Sequence, residues 1–138
     1  MISTADRISK ARQWRKRYGA GMRQVGIMAA AGHYALENNL KLLEKDHHRA
    51  KAIAEAIAAV APAVIDPKTV ETNIVGLDLE SVNLTASELA AQLKEHGILA
   101  GPLGSKYLRL VTHFDLDDSD INLVKQVLPE ILKRSLVA

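Results

Sequence analysis

Three basic residues stand where their surroundings could do chemistry. Lys16 and Arg23 flank a glycine-bearing turn, Gly19-Ala20-Gly21, and Arg109 sits inside the apolar run Leu108-Arg109-Leu110-Val111. Glycine lets backbone N–H groups approach an anion closely, so Lys16, Arg23 and the turn together favour a seat for a phosphate or carboxylate. Alternation along a strand puts Tyr107, Arg109, Val111 and His113 on one face. A guanidinium held there needs an anion, and its planar fork matches a carboxylate in bidentate fashion. The sequence leaves a second reading open for Arg109: an edge-strand arginine paired with a glutamate.

The remaining reactive residue types offer less. Histidines 33, 47, 48, 96 and 113 lack a metal-ligand spacing, and side chains of the adjacent pair His47-His48 diverge by about 100° on a helix. All five read as structural. With no cysteine in 138 residues, disulfides, thiolate metal sites and a cysteine nucleophile are excluded. No nucleophile elbow, Walker motif or dinucleotide fingerprint is present.

Charge is unevenly spread. Seven Lys/Arg and no acid lie between Arg7 and Arg23, so residues 1–36 sum to +6 and residues 37–138 to −4. That asymmetry points to an anionic partner for the first third. A nucleic-acid-binding basic helix is one such reading. The scarcity of aromatics beside Trp14 and Tyr18 and the acidic remainder weigh against it. The N-terminus lacks the apolar core of a signal peptide, and no apolar run approaches the roughly 18 residues of a membrane span. Together with the absence of cysteine, this leads us to expect a cytoplasmic setting.

The elements that must position these residues read as follows. Helices are expected over about 5–18, 22–38 and 40–60, the first opened by a Ser3-x-x-Asp6 capping box. The alanine- and glycine-rich middle of the second, Gly26–Gly32, reads as buried. In the third, Leu40, Leu43, Ala50, Ile53, Ala54 and Ile57 form the apolar stripe, and Lys45, Asp46, Arg49, Lys51 and Glu55 the solvated face. Strands are expected at 63–65, 72–79, 98–100 and 107–113. Thr85-x-x-Glu88 caps a helix to about His96 with Gly97 at its C′ position, and Asp117 caps a last helix over 118–135 with Ile121, Val124, Leu128, Ile131 and Leu132 inward. The expected architecture is α+β: a helical segment, 1–61, then a small α+β domain, 62–138, with a mostly antiparallel sheet covered by helices.

Several blocks resemble the low-specificity L-threonine aldolases. They are Arg12-x-Trp14-Arg15-Lys16, then Gly19-x-Gly21-Met22-Arg23-Gln24-x-Gly26-Ile27-x-Ala29-Ala30-Ala31-Gly32, Asp46-His47, Thr72-Asn73-Ile74-Val75 and Arg109-Leu110-Val111-Thr112-His113-x-Asp115. Ala20 departs from the family, which usually has a third glycine there. The resemblance implies a pyridoxal-phosphate (PLP) enzyme of the aspartate-aminotransferase fold, cleaving L-threonine or L-allo-threonine to glycine and acetaldehyde. It implies that Arg109 binds the substrate carboxylate and that Lys16 and Arg23 lie near the cofactor or a subunit interface. It also implies a homo-oligomer. It covers only the C-terminal two-fifths of such an enzyme. The family's cofactor lysine lies in a Ser-x-Ser-Lys-Gly-like segment, and none of the ten lysines here has that context. The expectation is therefore a C-terminal region lacking its N-terminal PLP domain, inactive by itself, with no catalytic residue and no covalently bound cofactor of its own. A non-catalytic assembly element is the alternative from another class.

Overall fold

A computed structural model describes residues 2–136; the expected segment ends at Met1 and at Val137–Ala138 lie outside it. The chain divides into two compact units, Met1–Leu40 and Lys41–Ala138.

The first unit holds α1 (Ala5–Arg17) and α2 (Val25–Asn38), and neither helix buries a residue. The helix α1 begins one position away from the expected capping box. Thr4 is its N-cap and makes no side-chain cap bond, so Ser3 and Asp6 are out of register for one. Its C-terminus closes at Gly19, where φ is +77° and the N–H groups of Gly19 and Ala20 return to the carbonyls of Lys16 and Arg15. This is a Schellman cap, which needs the left-handed backbone that glycine adopts readily. The turn delays α2 to Val25, three residues later than expected. The expected burial of α2 is not observed: Val25, Ile27, Met28, Tyr34 and Leu36 are all exposed. The largely charged α1 and the small-residue α2 form no core of their own to cover them.

The second unit begins at Lys41, within the 3₁₀ turn Leu40–Leu42, which leads into α3 (Leu43–Ala58). β1 (Ile74–Asp78), α4 (Ala86–Glu95), β2 (Gly101–Pro102), β3 (Tyr107–Val111) and α5 (Asp118–Arg134) follow. The sheet order is β1-β3-β2 and both pairings are antiparallel, which makes the fold α+β. The helix α3, read from sequence with the segment 1–61, packs on β1 and α5. It buries Ala50, Ile53, Ala54 and Ile57 in the one core of this unit.

Local chemistry explains the boundaries. Thr85 and Glu88 form the full capping box of α4, and Asp117 and Asp120 form that of α5. Gly97 closes α4 at φ +78°, with Gly97 and Ile98 N–H bonded to the carbonyls of Lys94 and Leu93. That second Schellman cap occupies the N–H of Ile98, so the strand expected at 98–100 forms instead at Gly101–Pro102. The expected strand at 63–65 is a turn in which Val64 N–H bonds Ala61 O; its apolar residues Val64 and Ile65 still enter the core.

Candidate functional site

The sheet has two unlike faces. Along β3, Leu108 and Leu110 are buried while Tyr107, Arg109 and Val111 are exposed. Opposite them on β1, Val75 and Leu77 are buried while Ile74 and Asp78 are exposed. The inward residues pair as Val75↔Leu110 and Leu77↔Leu108, under the helices; the outward ones pair as Ile74↔Val111, Gly76↔Arg109 and Asp78↔Tyr107. Alternation thus does to β3 what the sequence requires, with Leu108 at 0% exposure anchoring the strand.

Arg109 stands at the middle of the open face. Its strand is the central one, which removes the edge-strand reading. No described ion pair or side-chain hydrogen bond involves it, which removes the glutamate as well. Its cross-strand partners are Gly76 on β1 and Gly101 on β2, so neither neighbour raises a side chain beside the guanidinium. Tyr107 leans over Gly76: a Cβ built on residue 76 would meet the Tyr107 hydroxyl and stand 2.9 Å from Cζ. The result is an unpaired, forked cation on a flat floor, walled on one side by a phenol. Such a surface can receive a planar anion.

Lys16 and Arg23 belong to the first unit and Arg109 to the second. Lys16 is in the last turn of α1 and Arg23 in the turn before α2. Gly19 is accounted for by the helix cap. The N–H groups of Gly21, Met22 and Arg23 donate none of the described backbone bonds, so the stretch between the two cations keeps free donors. Gly21 meets Lys16 at ordinary contact distance, 3.6 Å from a built Cβ to Cγ. Trp14 stacks on Tyr18 with centroids 5.7 Å apart, and the Arg17 guanidinium lies 5.0 Å from the Trp14 ring centre.

The histidines make local pairs: His33 with Glu37 at 3.3 Å, His48 with Glu44 at 3.8 Å, and His113 with Asp115 at 3.5 Å. No group of residues among those described could hold a metal ion. A lysine that forms an imine with an aldehyde has a desolvated amine. All lysines of this chain are exposed except Lys106, whose ammonium is tied to the carbonyls of Val82 and Leu84 at 2.9 and 3.0 Å. The chemistry of Lys16, Arg23 and Arg109 is that of partners for anionic groups.

One polar cluster departs from the sequence reading. Asp46 and Arg49, expected on the solvated face of α3, are buried, because the loop between β3 and α5 packs over them. Arg49 donates from Nε and Nη2 to Asp118 Oδ1 at 3.0 and 2.6 Å and from Nη1 to Leu116 O. Thr112, also buried, donates its hydroxyl to the Asp46 carbonyl at 2.7 Å. The hydrogen bond from Arg49, helped by Lys45, holds the Asp118 carboxyl below its ordinary range. The Ser119 hydroxyl and the first N–H groups of α5 do the same for Asp117. A signal existed in the sequence: counting back from Ala50, Ile53 and Ile57 by helical spacing places position 46 on the apolar stripe.

Comparison with known proteins adds the following. A family model described as beta-eliminating lyase matches residues 1–80. Low-specificity L-threonine aldolase 1 of Arabidopsis thaliana is 37% identical over 123 residues, 88% of this chain and 34% of that protein. The low specificity L-threonine aldolase of Escherichia coli is 38% identical over 116 residues, 84% of this chain and 33% of the relative. A probable low-specificity L-threonine aldolase of Schizosaccharomyces pombe is 32% identical over 138 residues, 99% of this chain and 34% of the relative. The chain thus spans about a third of the length of these curated relatives.

Proposed function

The chain belongs to the beta-eliminating lyase family, and from that premise we propose that it supplies the carboxylate-binding strand of a PLP-dependent threonine aldolase. The reaction so assigned is cleavage of L-threonine or L-allo-threonine to glycine and acetaldehyde. The observation that carries the reading is Arg109: an exposed, unpaired guanidinium at the centre of an uncovered sheet face, with glycine on both flanking strands. A substrate α-carboxylate docked there gains two parallel charge-assisted hydrogen bonds, which fix the rest of the amino acid in orientation.

Lys16 and Arg23 are assigned to the phosphate end of the cofactor, with free backbone N–H groups between them. PLP, when bound, supplies the electron sink for Cα–Cβ cleavage. No lysine of this chain is suited to anchor it, so that chemistry is assigned to a separate PLP-bearing domain, and the chain alone is inactive. The reading carries with it a cytoplasmic homo-oligomer, to which the uncovered α2 contributes contact surface.

The test is a chimera in which this chain replaces the matching third of the Escherichia coli relative. The reading expects the chimera to release acetaldehyde from threonine, and the chain alone with added PLP to release none. A folded, PLP-loaded chimera without turnover overturns the reading, as does turnover by the chain alone.

A further inference from the structure

The second unit keeps one carboxylate without a partner. Asp46 is 4% exposed, and its Oδ1 has no hydrogen-bond partner among the described residues. The charges around it are engaged elsewhere. Arg49 spends its guanidinium on Asp118 and the Leu116 carbonyl, and Lys45 lies 3.9 Å from the same Asp118. Asp117 accepts from the first turn of α5. Two cations therefore face three carboxylates, and the negative charge left over belongs to Asp46. A buried carboxylate oxygen without a donor is unfavourable, so a fold that keeps one has a use for it.

Asp46 lines a cleft of about 210 Å³ together with the apolar Leu42, Phe114 and Leu116 and the charged Lys45, Arg49 and Asp117. Phe114 and Leu42 are exposed at 58% and 41% and form an apolar mouth. The volume falls short of the roughly 300–1,000 Å³ usual for small-molecule pockets and is on the scale of one side chain. An apolar stem with a cationic head matches it: the stem runs past the leucines, the head meets Asp46, and the Phe114 ring offers a cation–π contact on the way. The cations in the wall, Arg49 and Lys45, are held by Asp118, while Asp117 adds a second carboxylate to the lining, so the cleft favours an incoming cation.

We propose that this cleft is a docking point for a partner polypeptide, which inserts a single arginine or lysine side chain with Asp46 as its buried counter-ion. The proposal stands apart from the aldolase reading and uses none of the residues assigned there to substrate or cofactor. It makes a prediction that a structural role for Asp46 would not. In the free chain Asp46 is a liability, so Asp46→Leu melts at a higher temperature than the parent.

The experiment uses the full chain with N-acetyl-arginine amide as probe and N-acetyl-citrulline amide as its neutral isostere. Thermal melting and the ¹³C resonance of the Asp46 carboxyl group are the readouts. The arginine probe is expected to raise the melting temperature with dose and to shift the resonance. The citrulline probe should act at least about tenfold more weakly. Asp46→Asn, which keeps the shape, should abolish the preference for the cation even if Asp46→Leu fails to fold. Equal responses to the two probes overturn the proposal, as does no response to the arginine probe up to about 100 mM. A folded Asp46→Leu that melts below the parent also overturns it, because the carboxylate would then be making a stabilising contact.

Discussion

Gly76→Ala puts the geometry around Arg109 to the test. A Cβ at residue 76 would collide with the Tyr107 hydroxyl and stand 2.9 Å from Cζ, against the roughly 3.5–4.0 Å at which carbon atoms rest. The ring must therefore withdraw from Gly76. Tyr107 is 44% exposed and has room to do so; an off-rotamer side chain costs about 0.5–1.5 kcal/mol. Against this, replacing glycine by alanine inside a strand returns about 0.5–1 kcal/mol. In the parent the two effects nearly cancel, and Gly76→Ala should change stability by less than about 1 kcal/mol. In a Tyr107→Ala background only the gain remains, so the same substitution should stabilise by about 0.5–1 kcal/mol. The assay is a double-mutant cycle by urea denaturation followed by far-UV circular dichroism, with an expected coupling of at least about 0.5 kcal/mol. An identical effect of Gly76→Ala in both backgrounds would refute the placement of Tyr107 over Gly76, and with it the walled floor beside Arg109.

Two further outcomes follow from the same structure. Leu108→Ala should cost about 2–5 kcal/mol, because Leu108 is fully buried, whereas Arg109→Ala should stay within about 0.5 kcal/mol; comparable losses in denaturant titrations would contradict a two-faced strand. On acidification, Asp117, Asp118 and Glu88 act alike, since hydrogen bonds to Ser119, Arg49 and Thr85 respectively hold each folded-state carboxyl below its ordinary range. Their contribution is complete above the unfolded-state carboxylate range, about 3.9–4.3, and is lost as pH falls through the lowered values. Asp118→Asn should therefore flatten the acid limb of a melting-temperature profile between about pH 5 and 2, and an unchanged limb would show that the Arg49 contact carries no linkage.

Much of the arrangement was legible because it rests on local chemistry. Thr85 with Glu88, Asp117 with Asp120, and Gly97 announce their helix ends through side-chain bonds that span three residues or a backbone that favours glycine. The alternation around Arg109 likewise follows from strand period alone. What escaped the sequence depends on tertiary partners. Asp46 and Arg49 carry polar side chains, and only the packing of the 112–118 segment onto α3 makes them interior. Gly76 and Gly101 gain their meaning from a register that brings them to either side of Arg109. The apolar α2 reads as interior by composition, yet the first unit offers it no core.

Central to the proposed function is the assignment of Arg109 to the substrate carboxylate. Its most direct test is steady-state kinetics of threonine cleavage by the chimera carrying Arg109→Ala or Arg109→Lys, with PLP loading followed by absorbance. Loss of a bidentate contact to a charged group corresponds to about 1.5–3 kcal/mol, or roughly a tenfold to hundredfold fall in kcat/KM. Arg109→Ala should show that fall mainly through a raised KM with PLP still bound. Arg109→Lys should recover little of it, since an ammonium lacks the planar fork. Unchanged threonine kinetics in a folded, PLP-loaded Arg109→Ala chimera would contradict the assignment.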